Sequence, residues 1–260
     1  MSDPKIIIVT GASRGIGLAT ARFLLKGSNK VVVVARTAGP LEKLKEEFPG
    51  QVEFLAADLA DFSVGPQAVS LALKAFSRLD GLIINHGTLS PVKRVADSTA
   101  EEWRAIFDVN FFSALAFISP AIPALRESHG RIVLTSSGAS VSPYASWGAY
   151  GSSKAALNHL ALTLKAEEPD ITTISIRPGV VDTEMQVEIR DKHVELMDAT
   201  DVTKFRGLHA DGKLLKPEQP GHVMAKLAVS ASADLSGKFL RQVSPPWQQA
   251  IPTLTIMKLE

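Results

Sequence analysis

Short runs of apolar, β-branched residues alternate along the chain with longer stretches in which apolar residues recur every three to four positions. Lys5 to Val9 (KIIIV), Val31 to Ala35, Val52 to Ala56, Gly81 to Ile84 (GLII), Arg131 to Leu134, Thr172 to Ile176 and Lys238 to Leu240 predict strands. Helical patterning covers LATARFLLK after Gly17, Leu41 to Phe48, Gln67 to Arg78, Thr99 to Leu125 with a proline-bent end, Gly148 to Glu168, and Glu218 to Ser230. Strands that are apolar throughout are buried on both faces, which implies parallel pairing beneath two layers of helices. The expected fold is therefore α/β: a doubly wound Rossmann-type parallel sheet of about seven strands flanked by helices on both faces. No repeat, low-complexity tract or linker interrupts the pattern, so residues 1–260 are expected to form a single domain.

Composition narrows the function classes. The 260 residues are 45% apolar, enough for a full core. Twenty-eight Lys and Arg against twenty-seven Asp and Glu leave a formal charge of +1, with no charge run to support binding of nucleic acid or a membrane surface. The absence of cysteine excludes disulfides, thiolate catalysis and cysteine-ligated metals. Histidines 86, 129, 159, 193, 209 and 222 show no HExxH or paired spacing, so no metal site is expected. The polar start MSDPK leads straight into the first strand, and no secretory signal is expected. The apolar stretch Phe111 to Leu125 carries Pro120 and Pro123 and is expected to be a buried helix too short to cross a bilayer. A cytoplasmic location is expected, and the closing Lys258-Leu259-Glu260 is given no functional weight.

Two stretches carry candidate chemistry. TGASRGIG, Thr10 to Gly17, directly follows the first strand. Glycines 11, 15 and 17 permit a tight turn and let a pyrophosphate approach the backbone, while a helix beginning near Gly15 offers free N–H groups and a positive dipole end. The second strand ends VVVVART, with Arg36 and no carboxylate before Glu42, and Arg14 lies in the glycine loop. Guanidiniums there suit the 2′-phosphate of NADP, where an acid would suit NAD; solvated surface arginines are the plainer alternative. The other stretch, TSSGASVSPYASWGAYGSSK from Thr135 to Lys154, sets Tyr150 four residues ahead of Lys154 in a predicted helix. Such residues share a face, about 5–6 Å apart at Cβ. An ammonium ~4–5 Å from the phenol, at an effective dielectric of about 20, favours phenolate by roughly 3–4 kcal/mol, or about two to three pK units. Lys154 is thus expected to lower the Tyr150 pKa against the opposing effect of burial. A surface tyrosine beside a surface lysine would give the same spacing.

With these residues in place, the chain resembles the short-chain dehydrogenase/reductase superfamily, in its single-domain branch, from Lys5 to about Leu240. TGASRGIG matches the family's TGxxxGxG, which implies cofactor contacts from Gly11, Ser13, Arg14, Gly15, Ile16 and Gly17, with Arg36 and Thr37 at the adenosine end. Asp58-Leu59 matches the acidic position that binds adenine, and Asn85-His86-Gly87 stands where Asn-Ala-Gly is usual. His86 departs from that pattern and either packs beneath the cofactor or perturbs its seat. Asn110, in DVNFF, matches the asparagine of the catalytic tetrad and implies a local bend in its helix. Ser137 stands at the family's serine-to-tyrosine spacing from Tyr150, which selects it over Ser136. Pro178, Gly179, Val181 and Thr183 match the PGxxxT run that contacts the nicotinamide.

SSGASVSPYASWGAYGSSKAALNH, PGVVDTEMQ and FDVNFFS are similar to the NADPH-dependent benzil reductases and their sepiapterin-reductase-like relatives. That similarity implies reduction of one carbonyl of a diketone or related aromatic or apolar carbonyl compound, with NADP(H) as cofactor, Tyr150 as proton donor, and Ser137, Lys154 and Asn110 in support. An NADP-dependent alcohol or steroid dehydrogenase, or a catalytically silent NADPH-binding regulator, would carry many of the same residues. Tyr144 and Trp147, and Met185 in an amphipathic lid at about 184–215, are expected to line the substrate pocket; core or interface packing is the alternative for Trp147. The apolar faces of the Asn110 and Tyr150 helices imply subunit pairing, as a homodimer or a tetramer.

Overall fold

The computed structural model describes residues 3–242 and 254–257, so Lys258-Leu259-Glu260 lies outside it. Eight strands, β1 (Ile6–Thr10), β2 (Lys30–Ala35), β3 (Val52–Ala56), β4 (Gly81–Ile84), β5 (Arg131–Thr135), β6 (Thr172–Arg177), β7 (Phe239–Gln242) and β8 (Leu254–Met257), form one sheet in the order β3-β2-β1-β4-β5-β6-β7-β8. The first seven are parallel, as the patterning predicts. β8 is an addition: it pairs antiparallel with β7, Phe239 opposite Met257, on an edge that would otherwise be open.

Successive strand residues point to opposite faces, and both faces are covered. Ile6, Ile8, Val32, Val34, Leu82 and Ile84 pack beneath α3 (Val64–Phe76), α5 (Ser113–Ser128) and α6 (Gly148–Glu167). Ile7, Val9, Val31, Val33 and Ile83 pack beneath α1 (Gly15–Lys26), α2 (Ala38–Glu47) and α9 (Glu218–Ser230). That two-sided burial is why the strands read as continuous apolar runs. The strand order reverses between β1 and β4, so the loops beyond their carboxyl ends diverge and leave a crevice.

The predicted helix from Thr99 to Leu125 is a run of three parts: α4 (Ala100–Phe107), a π-turn (Asp108–Phe112) and α5. It starts where a capping box closes, with the Glu102 N–H donating to Thr99 Oγ1 and the Thr99 N–H to Glu102 Oε2. It is 29 residues long and contains an 18-residue window of mean hydropathy 1.6, so it is longer than the fifteen-residue apolar stretch suggested, and by length and composition it would suffice to span a bilayer. Here its inner face, including Ser113, Phe117, Ile118, Ala121 and Leu125, is buried in the core. α3 crosses it closely: a Cβ on Gly65 would stand 2.1 Å from the Ala116 carbonyl oxygen.

Between β6 and α9, α7 (Glu184–Asp191) and α8 (Ala199–Ala210) form the segment expected as a lid. Ile189, Met197 and Phe205 face inward, while Val187 and Leu196 are exposed. Its two ends are joined at the base, where the Asp182 N–H donates to the Leu215 carbonyl at 2.8 Å and the Leu215 N–H to the Val180 carbonyl at 2.9 Å.

Candidate active site

A cavity of about 470 Å³ lies over the carboxyl ends of β1, β2, β4, β5 and β6. At one end stands the glycine loop. Gly11 (φ 64°) and Gly15 (φ 53°) adopt left-handed backbone, and a Cβ on Gly17 would lie 2.3 Å from the Gly11 carbonyl oxygen. The loop can therefore close only without side chains at these points. α1 begins at Gly15 with no side-chain cap, so its first-turn N–H groups stay available to an anion. Asn85 braces the turn: its N–H donates to Thr10 Oγ1 at 2.9 Å and its Nδ2 to the Thr10 carbonyl at 3.3 Å. This cradle fits the pyrophosphate of a dinucleotide.

Ser13, Arg14, Ile16, Arg36, Thr37 and Leu59 line the same end, with Arg36 and Thr37 exposed. Arg14 is ion-paired with Glu184, the first residue of α7. That carboxylate was not foreseen as its partner, and it leaves Arg36 as the unpaired guanidinium at this end among the described residues. Asp58 does not line the cavity; it is exposed and accepts the Ala60 N–H at 3.1 Å within the turn after β3.

The middle of the cavity carries Tyr150 and Lys154 from α6 and Ser137 from the loop after β5. Tyr150 and Lys154 are buried, with Lys154 Nζ 5.9 Å from the centre of the Tyr150 ring and donating to the Thr135 carbonyl at 2.9 Å. Burial pushes the Tyr150 phenol up, and the neighbouring Ser137 hydroxyl draws it only partway back. Burial also pulls Lys154 down, to about 8. The sequence expectation that Lys154 lowers the phenol is thus not met in this state. Both groups are desolvated, and the ammonium is directed at the Thr135 carbonyl. Ser136 and Ser137 diverge: Ser136 is buried and donates to the Lys154 carbonyl at 3.3 Å, whereas Ser137 is half-buried and accepts the Ala139 N–H at 3.2 Å.

Asn110 sits in the π-turn, buried behind the cavity wall. Its Oδ1 accepts the Thr88 N–H at 2.8 Å, and its Nδ2 donates to the Thr88 carbonyl at 2.9 Å and to Ser153 Oγ at 3.0 Å. Asn110 Oδ1 and Lys154 Nζ meet beside Gly87, at 3.1 and 3.2 Å from where its Cβ would stand. His86 is a buried strut, with Nδ1 2.7 Å from Thr10 Oγ1 and Nε2 2.6 Å from Ser113 Oγ. Each of these hydroxyls also reaches a backbone carbonyl, Ser113 Oγ donating to Val109 at 2.6 Å and Thr10 Oγ1 to Ile83 at 3.2 Å. Burial, aided by the Lys154 charge, lowers the His86 pKa to about 3 and keeps the ring neutral. His86 therefore ties the glycine-loop strand to the π-turn that carries Asn110.

At the far end Tyr144 stacks on Trp147 (4.8 Å between centroids), Trp147 stacks on Phe205 of α8 (5.6 Å), and the Tyr150 ring meets Trp147 edge-on at 6.0 Å. Met185 joins this wall, and Lys204 Nζ donates to the Tyr144 hydroxyl at 2.9 Å. Pro178, Gly179, Val181 and Thr183 line the side between the glycine loop and α7. Sequence reasoning missed Thr135 as the Lys154 acceptor, Ser113 as the His86 partner, and Arg177 in the cavity wall. Only Arg177 left a signal, as a charged residue closing an otherwise uncharged strand just before Pro178-Gly179.

Residues 5–194 match the family profile of the short chain dehydrogenases. An uncharacterized oxidoreductase of Schizosaccharomyces pombe is 42% identical over 238 residues, covering 91% of this chain and 95% of that protein. A benzil reductase of Saccharomyces cerevisiae, (S)-benzoin forming, is 39% identical over 251 residues, covering 91% of this chain and 95% of that one. The crystal structure of a short chain dehydrogenase/reductase from Saccharomyces cerevisiae matches with a TM-score of 0.89 at 40% identity, over 93% of this chain and 97% of the other.

Proposed function

The chain belongs to the short chain dehydrogenase family of oxidoreductases, and within it we propose an NADPH-dependent reductase of aromatic or apolar carbonyl compounds, vicinal diketones such as benzil foremost. The observation that carries this reading is the grouping of Ser137, Tyr150 and Lys154 on one cavity with the glycine loop at its other end. A bound nicotinamide cofactor supplies hydride. Tyr150 donates its phenolic proton to the carbonyl oxygen, and the Ser137 hydroxyl holds that oxygen as negative charge grows on it. A high phenol pKa suits a group that must be protonated before it donates. Lys154, cationic at pH 7, assists the phenolate left behind, and Asn110 Oδ1 keeps a lone pair facing the gap at Gly87 for a water that restores the proton.

Gly11, Gly15, Gly17 and the N-terminus of α1 would hold the pyrophosphate, Arg36 the 2′-phosphate, and Pro178 to Thr183 the nicotinamide side. The aromatic wall of Tyr144, Trp147 and Phe205 suits a flat substrate. The same reading includes one domain in the cytoplasm and a homodimer formed through α5 and α6, whose outer faces expose Leu115 and Leu162. Light scattering of the purified protein tests the dimer.

The deciding experiment follows NADPH consumption with benzil, phenylpropanedione, sepiapterin and simple ketones. Turnover of the diketones with kcat/KM at least tenfold higher for NADPH than for NADH is expected. Equal efficiency with both cofactors would remove the Arg36 assignment, and no turnover with any compound would favour an NADPH-binding regulator.

A further inference from the structure

The cavity wall beside Ser137 holds a guanidinium that the mechanism above leaves unused. Arg177 ends β6, is half-buried and lines the cavity. Its Cζ, Nε and Nη2 lie 2.6–2.7 Å from where a Cβ on Gly138 would stand, so the guanidinium rests on the residue next to Ser137. The other half-buried arginines all have partners: Arg22 donates to Glu47, Arg131 to the Ala231 carbonyl, and Arg190 to Gln186. Among the described residues no hydrogen-bond acceptor meets the Arg177 side chain; Arg241, a like charge, stands opposite it in β7, and the Tyr144 phenol is the titratable group on its favourable side. Of the acids that line the cavity, Glu184 is held by Arg14 and Asp182 is exposed at the base of the lid. An uncompensated, partly desolvated guanidinium gains most from an anion that accepts two of its N–H groups side by side.

We propose that Arg177 is the anion-binding residue of the substrate pocket, and that the pocket takes aryl 2-oxo carboxylates. The keto oxygen lies at Ser137 and Tyr150, the carboxylate on the Arg177 fork, and the ring against Tyr144, Trp147 and Phe205. This rests on the reductase reading and narrows its substrate class: an aryl 2-oxo acid keeps the aroyl group and adjacent C=O of a diketone such as benzil but ends in an anion. The keto C=O π bond is lost. Its carbon gains a C–H bond from hydride and its oxygen gains the proton of Tyr150. The reduced nicotinamide supplies both electrons and leaves oxidised, and the carboxylate is unchanged, so the product is a 2-hydroxy acid.

Benzoylformate and methyl benzoylformate differ by one charge and make the comparison, with benzil alongside. The wild type is expected to reduce the acid with kcat/KM at least equal to that of the ester. Arg177→Gln is expected to lower the acid-to-ester ratio at least tenfold, mostly through KM, and Arg177→Lys to recover part of it. Calorimetric titration of mandelate into the protein saturated with NADP⁺ is expected to weaken by a similar factor in Arg177→Gln, with methyl mandelate unaffected in that ratio. A ratio that does not move in either variant, or a wild type that reduces ester and benzil but not the acid, overturns the anion assignment and leaves the reductase reading standing. If the wild type reduces none of the three, the reductase reading falls and this proposal with it.

Discussion

The chemistry turns on what burial does to two side chains. A fully hydrated lysine and tyrosine at this spacing would settle as an ion pair at high pH, but Tyr150 and Lys154 are both taken out of water. The phenol is pushed up and the ammonium down, so the order of the two proton affinities reverses and the phenol holds its proton more tightly than the lysine does. Tyr150→Phe removes the donated proton and is expected to lower kcat more than a hundredfold while leaving NADPH binding, read by fluorescence titration, nearly intact. Lys154 also marks stability. It loses its proton at about 8 when folded and at the ordinary 10.5 when unfolded, so between those values the unfolded chain binds more protons and stability rises with pH. The stability of wild type minus that of Lys154→Met, from urea unfolding, is expected to rise by about 2 kcal/mol between pH 8 and 9.5. A flat difference would mean that the lysine is not desolvated. The motif spacing made Tyr150 and Lys154 legible in the sequence. The direction of the phenol shift was not legible, because desolvation depends on what covers the pair.

Among the elements, the helix through Asn110 shows best how neighbours decide local form. Its apolar periodicity predicted one helix, and a π-turn divides it. The Val109 carbonyl accepts from Ser113 Oγ, and His86, just past the end of β4, holds Ser113. No local pattern records a bond between residues so far apart in sequence. The segment holding α7 and α8 was visible as an amphipathic stretch, but not the joining of its two ends between Val180, Asp182 and Leu215. α3 and α5 approach at Gly65, where a methyl would meet the backbone of Ala116. Gly65→Ala is expected to cost about 1–3 kcal/mol of stability, read as a lowered urea midpoint, with KM for substrate and cofactor unchanged. A neutral result would show that the two helices can separate freely.

For the molecule as a whole, cofactor and fold should be linked, since the cavity is walled by loops that follow several different strands. NADPH at 100 times its Kd is expected to add about 2.7 kcal/mol and to raise Tm by roughly 5–10 °C in a single calorimetric transition, with NADH at the same concentration giving less. Two transitions, one of them unmoved by NADPH, would contradict the single domain. The seven parallel strands, the glycine turn and the Tyr150–Lys154 helix could all be read from the chain, because each is encoded by neighbours a few residues apart: continuous apolar runs, missing side chains at a bend, and a one-turn spacing. Tertiary structure alone decided the antiparallel β8, the pairing of Arg14 with Glu184, the His86 strut and the exposure of Arg177 to the cavity. Each of these joins segments that the fold brings together from distant parts of the sequence. Their hydrogen bonds, charges and desolvation exist only once the sheet has closed the distance.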